Sequence, residues 1–403
     1  MRRARILHGI AIVLLIGMGT IACTKGTCFC ILSTSASKFA YVMEETDTIA
    51  AFSINAGTGS LTPVNGSPFG GNISPFYGTS DPDGKFLYAV DPSSENINAF
   101  AIDQATGALT AVPGSPFTTN AAEPVFPVVD PAGKFLYVSN LDSCGDDCQG
   151  AVSVFKIGAD GSLAEIAGSP FDTEGYGTLG LAITPDGKFL YAMNGRNCCN
   201  ASDSISAFQV DPVSGALTQL SGSPFTAGAS AFLAAVPPSG GFLYVIVGGE
   251  GFALEPFAIN PTTGALTSTN SFAQLGQNPQ GIDIDFIDNF LFVSNNGIPG
   301  QTDGSISIFR MNSTSGALTA VPGSPVTTTG SNPFQLAVDR SCRFLYVTNF
   351  NPSKGTAGDY VLGFEIDPLS AGLTPVAGSP FATPSGGPPQ GIVLTPHRTS
   401  TTP

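Results

Sequence analysis

Thirty acidic side chains against 15 basic ones in 403 residues give a formal charge of −15, and only 11% of the residues are charged at all. That balance excludes nucleic acid as a partner, because neutralising phosphates takes clustered Lys and Arg. It equally excludes charge-driven attachment to anionic membranes.

Residues 1–22 read as a targeting segment and stand outside the fold. Arg2, Arg3 and Arg5 form a basic start, Ile10 to Met18 an apolar stretch, and Thr20-Ile21-Ala22-Cys23 is similar to a bacterial lipobox with Thr20 where Leu is usual. Cleavage before Cys23 with lipidation of that cysteine is the first expectation; ordinary signal cleavage and a retained anchor are the alternatives. Each places the rest of the chain outside the cytoplasm, in the bacterial cell envelope. Residues 23–38 follow as a linker, and 397–403 form a tail.

From Phe39 onward a phrase of the type Gly-Lys-Phe-Leu-Tyr-Val returns, its leading aromatic at Phe39, Phe86, Phe135, Phe189, Phe242, Phe290 and Phe344, 47 to 54 residues apart. Each return is followed by Gly-x-Leu-Thr or a close variant, which usually runs into Gly-Ser-Pro-Phe, as from Gly107 to Phe117. A fixed period of this size marks one supersecondary unit stacked on copies of itself. The unit divides into four strands, which in one copy are Thr178–Thr184, Phe189–Met193, Ser204–Val210 and Leu217–Leu220, separated by Asp/Pro/Gly turns. Asn270, in Asn-Ser-Phe-Ala, breaks the Gly-Ser-Pro pattern, so that unit is expected to differ at its outer edge.

Four antiparallel strands repeated radially describe a β-propeller blade. The first unit starts at its second strand, and Gln390 to Pro396 reads as a first strand with nothing after it. The reading is therefore an all-β, seven-bladed β-propeller over residues 39–396, closed by N- and C-terminal strands in one shared blade. With Tyr346-Val-Thr-Asn349 among them, these repeats resemble the lactonase-type, 6-phosphogluconolactonase-like seven-bladed propellers with Tyr-Val-Thr-Asn-type repeats. The resemblance implies a fold, and by analogy a lactone-opening activity, but rests on turn and packing residues.

In such a ring, the loops joining strands two and three share one face with the connections from strand four to the next strand one. On that face the sequence places Glu44, Glu45, Asp47, Glu95, Asp142, Asp146, Asp147, Asp203, Glu250, Asp303 and Asp359, but only Arg196 and Lys354 as cations. Lactone opening needs an activated water and a donor to the developing oxyanion. The residues offering that chemistry are Arg196, as oxyanion donor, with carboxylates such as Glu123 and Glu174. His397, the one histidine after the targeting segment, aligns with a turn residue on the other face. Asp142, Asp146 and Asp147 are the richest oxygen cluster for Ca²⁺ but lack EF-hand spacing; no other cofactor is expected.

Cys144 and Cys148 fall in one two-to-three loop and Cys198 and Cys199 in the next blade's. They fit two disulfides, within or between loops, or a Cys₄ zinc site, and export favours the disulfides. Cys342 lies in a one-to-two turn within reach of Cys28 or Cys30. Two functions follow: a binding module, expected to be a monomer, whose acidic face takes a protein, glycan or small molecule; or a lactone hydrolase acting on a neutral rather than a phosphorylated ring.

Overall fold

Successive side chains of a strand point to opposite faces, and in every second strand of this chain both faces are apolar. Each sheet therefore needs a neighbour on either side, and a closed ring provides that without an unpaired face. The structure, a computed structural model, describes residues 21–24, 27–30, 37–141, 149–195, 203–249, 251–298, 304–328, 332–350 and 359–395. Seven antiparallel sheets carry the repeats. Blade 1 runs from inside outward as Pro389–Thr395, Phe39–Glu44, Thr48–Ile54 and Leu61–Pro63. The two chain ends are thus zipped together, with Ala40 opposite Leu394 and Val42 opposite Ile392. An antiparallel pair, Ile21–Thr24 with Thr27–Cys30, lies at the start of the expected linker.

The core is divided into seven clusters, each between two adjacent blades. Tyr41 and Met43 pack towards Leu87 and Ala89 of blade 2, whereas Ala40 and Val42 pack towards Phe344 and Tyr346 of blade 7.

Hydrogen bonds explain the repeated words. Tyr41, Tyr88, Tyr137, Tyr191 and Tyr346 each donate to the carbonyl of a turn glycine in the following blade, namely Gly107, Gly161, Gly215, Gly264 and Gly59. Those glycines hold left-handed φ and lie under the leading phenylalanine of the preceding blade. Ser139, Ser294 and Thr348, two residues after the aromatic, donate to the strand-one carbonyls of Leu179, Phe334 and Gln390 in the next blade. The Asn that follows is buried, and Asn140, Asn194 and Asn295 reach across to serines of strand three.

Each blade has one element beyond the four expected strands. After Gly-Ser-Pro, a short stretch such as Phe117–Thr118 returns to pair strand three a second time. The serine fills the gap between the two pairings: Ser67, Ser115, Ser169, Ser223, Ser324 and Ser379 accept the N–H of Ala51, Ala99, Val154, Ala207, Ile308 and Gly363. The exception at Asn270 now has a cause. In blade 5 the equivalent strand-three residue, opposite Tyr244, is Pro256, which has no N–H to offer.

Candidate functional site

Strand one of most blades carries a register shift, for instance between Pro124 and Pro127 and between Pro333 and Leu336. Such a bulge re-aims consecutive side chains, here towards the channel axis. Phe76 and Tyr77 of blade 2 contact Phe334 of blade 7, with centroids 5.9 and 6.2 Å apart, although blade 1 lies between them. Only the central channel allows that meeting. Phe126 adds a ring 5.0 Å from Tyr77, and Phe350 one 6.4 Å from Phe334. The channel end on the two-to-three loop face is thus an aromatic floor, and burial pushes the Tyr77 phenol pKa upward. Space for it comes from Gly281 and Gly391, where a Cβ would lie 2.9 and 2.8 Å from the carbonyl oxygens of Phe334 and Phe76.

The polar groups of this inner ring are largely committed to backbone. Asp283 accepts the N–H of Val338 at 2.9 Å, tying blade 6 to blade 7. Gln335 accepts that of Ile392 at 2.6 Å, tying blade 7 to blade 1. Asp91 holds Ser74 of the connection entering blade 2 together with Ser93 and Ser94 of its two-to-three loop.

Glu44 lies fully buried at the end of strand two in blade 1. Burial raises its pKa above the usual carboxylate range, the nearby hydroxyls, of which Thr48 donates to it at 2.9 Å, oppose that, and the charge of Asp359 adds to it. Folded Glu44 therefore holds its proton to a higher pH than the unfolded chain does. Its contribution is favourable at acid pH and is lost as pH rises through the raised value. Glu44→Gln is expected to be at least as stable as wild type at pH 7 and to lose part of the wild-type fall in stability as pH rises from the ordinary carboxylate range towards neutrality. Urea titrations of both proteins across that range check it; a Gln variant with an unchanged pH slope would count against the assignment.

Every described cation (Lys38, Lys85, Lys134, Lys156, Lys188, Arg310, Arg340 and Arg343) lies in or beside a one-to-two turn on the opposite face. Glu45, Asp47, Glu95 and Glu123 stand on the loop face, as the sequence sorting requires. Glu123 immediately precedes strand one of blade 3 with φ 47°, its carbonyl accepting the N–H of Leu141. Glu174, with φ 53°, sits in the outer strand Phe171–Tyr176 of the same blade. Strands two and three separate them, so the structure does not bring these two carboxylates together. Arg196, Asp142, Asp146, Asp147, Cys144, Cys148, Cys198, Cys199 and His397 lie outside the described residues, as does the side chain of Cys23. Cys342 is disulfide-bonded, and all other cysteines, Cys28 and Cys30 included, have side chains outside the description. No cluster of three or more metal-ligating side chains occurs among the described residues.

Two features were not read from the sequence. One is the aromatic floor itself. The other is a buried network under the blade 4 loop, in which Thr178 donates to Asn194 at 2.7 Å and also meets Thr173 at 3.1 Å, while Asn194 donates to Ser206 at 2.8 Å. These hydroxyls have amide and carbonyl partners and no imidazole or carboxylate, so the network holds the loop base and activates no nucleophile.

A family model described as "Lactonase, 7-bladed beta-propeller" matches residues 30–126, 127–235, 200–300 and 247–362. The structure is similar to a candidate 6-phosphogluconolactonase of Bacteroides uniformis, with TM-score 0.73 and 18% identity over 90% of this chain and 100% of that one. It is similar also to the periplasmic gluconolactonase PpgL of Pseudomonas aeruginosa, with TM-score 0.68 and 19% identity over 89% and 99%. Identities this low establish the shared fold alone. No curated protein matches the sequence.

Proposed function

The chain belongs to the lactonase family of seven-bladed β-propellers, and from that premise we propose that it is an exported, Cys23-anchored binding module. Its ligand is a neutral small molecule or glycan seated on the aromatic floor of the channel, inside an acidic rim. The observation that carries this reading is the sorting of charge. Among the described residues no cation lies at the channel mouth, while the half-buried rings of Phe76, Phe126 and Phe334 gather there around the buried Tyr77. A sugar ring stacks on such a floor without needing a counter-charge. A phosphorylated one would lose its hydration and meet Glu45 and Glu123 instead of Lys or Arg. Disulfides among Cys144, Cys148, Cys198 and Cys199 would stiffen the loops above the floor.

Family membership and the relatives' names favour a second reading, hydrolysis of a neutral lactone. In it a carboxylate activates water and Arg196 receives the oxyanion. One experiment separates the two: titration and turnover of neutral and phosphorylated sugar lactones and of the corresponding neutral sugars, with and without chelator. Binding of neutral compounds without turnover, weakened at least tenfold in Phe334→Ala, is the expected result. Turnover abolished by Arg196→Ala would replace the first reading by the second. Dependence on chelator would bring Ca²⁺ at Asp142, Asp146 and Asp147 into either.

A further inference from the structure

The opposite face carries a feature that the channel reading does not use. Three one-to-two turns share the sequence Pro-x-Gly-Lys. In two of them the lysine is paired at 2.8 Å with the aspartate two residues before it, Lys85 with Asp83 and Lys188 with Asp186. In blade 3 that aspartate is replaced by Ala132, and Lys134 enters none of the ion pairs of the described residues. Beside it, Lys156 stands opposite Phe135 on strand three, equally without an ion-pair partner. Blade 7 puts Glu365 at the position of Lys156 and pairs it with Arg343. Among the described residues, blade 3 alone has an exposed lysine at both of these positions.

These lysines border a cleft of about 500 Å³ between blades 3 and 4, whose other walls include Phe135, Ile157, Pro212 and Val213. Val213 is 86% exposed at the tip of its turn. The nearby carboxylates are hydrogen-bonded within their own turns: Asp130 accepts the N–H groups of Lys134 and Phe135, Asp160 the N–H and O–H of Ser162, and Asp211 the N–H groups of Val213 and Ser214. Asp130 acts on Lys134 only through its charge, without an ion-pair contact, so an anion in the cleft would give both lysines a direct partner. We propose that this cleft is a second ligand site, for a molecule with one phosphate or carboxylate head and an apolar body. The head lies between Lys134 and Lys156, and the body lies along Phe135, Ile157 and Val213. A soluble amphiphile and a lipid headgroup share that chemistry.

The test is lysine acetylation footprinting of the full-length protein in zwitterionic nanodiscs, with mass spectrometry reporting each lysine. Hexyl phosphate should slow modification of Lys134 and Lys156 at least tenfold, leave Lys85 and Lys188 unchanged, and act at lower concentration than inorganic phosphate. Protection seen only in nanodiscs containing phosphatidylglycerol would assign the site to a lipid head. Ala132→Asp restores the sister turns' ion pair and retains both lysines; it should abolish the protection. No protection with any probe, equal protection at Lys85, or full protection in Ala132→Asp would each overturn the proposal.

Discussion

Replacing Gly264 with alanine is expected to destabilise the ring by about 2–4 kcal/mol, the sum of left-handed backbone strain and overpacking. Gly264 has φ 70°, and a Cβ there would lie 2.4 Å from Cδ1 of Phe189 and 2.7 Å from Cδ1 of Leu220. The Phe189 ring has little room to retreat, since it is buried in the cluster between blades 4 and 5 and the neighbouring Tyr191 is pinned to the Gly264 carbonyl at 2.8 Å. Chemical denaturation of the variant gives the answer directly, and a loss below about 1 kcal/mol would mean that the aromatic-on-glycine contact is not a joint of the ring.

One blade shows what alanine demands at this position. Ala371 occupies the same place in the turn of blade 7 with φ 56° and is fully buried. The preceding blade has adapted: Phe292 replaces the tyrosine, and Arg310 lies over the Phe290 ring at 4.5 Å while reaching the Leu369 carbonyl. Ala371→Gly would relieve strain of about 1–2 kcal/mol but forfeit a buried methyl worth about 0.8 kcal/mol and cost backbone entropy of about 0.5–1 kcal/mol. The same denaturation series should therefore find it close to neutral, in contrast to Gly264→Ala.

These contrasts show why so much of the architecture was legible. A repeat compares each position with its equivalents, so Gly107, Gly161 and Gly215 announce one structural role, and Asn270 announces an exception. Its cause, Pro256, sits in another strand, and only the pairing of strand three with its outer neighbours joins the two. The sorting of charges onto two faces needed nothing beyond strand direction. The aromatic floor was hidden because strand one breaks its alternation. Phe76 and Tyr77 are consecutive, and period-two reasoning puts one of them on the wrong side. Glu123 and Glu174 were grouped because both precede a new strand in sequence. The extra outer strand, to which Glu174 belongs, gives no such signal when it is two residues long in most blades. Lys134 shares its turn sequence with Lys85 and Lys188, and only the ion pairs of those two set it apart.

Removing the chain from Pro389 onward is expected to abolish cooperative folding. That strand buries Ile392, Val393 and Leu394, each no more than 5% exposed, worth together roughly 5–9 kcal/mol at about 1.5–3 kcal/mol per side chain. It also carries the carbonyl of Gln390 to Thr348 at 2.6 Å and the N–H of Ile392 to Gln335. Total stabilities of about 5–15 kcal/mol leave little after such a loss. The exposed edge of Phe39–Glu44, all buried in the intact ring, would then be free to pair with other chains. The truncated protein should show no sharp thermal transition and should aggregate. A synthetic peptide spanning residues 387–396, added in excess, should restore both the transition and solubility by taking the vacant inner position. A truncated chain that melts cooperatively within about 1 kcal/mol of the intact protein would show that closure by the two termini is dispensable. The division of side chains between a loop face and a turn face would then lose the ring that defines it.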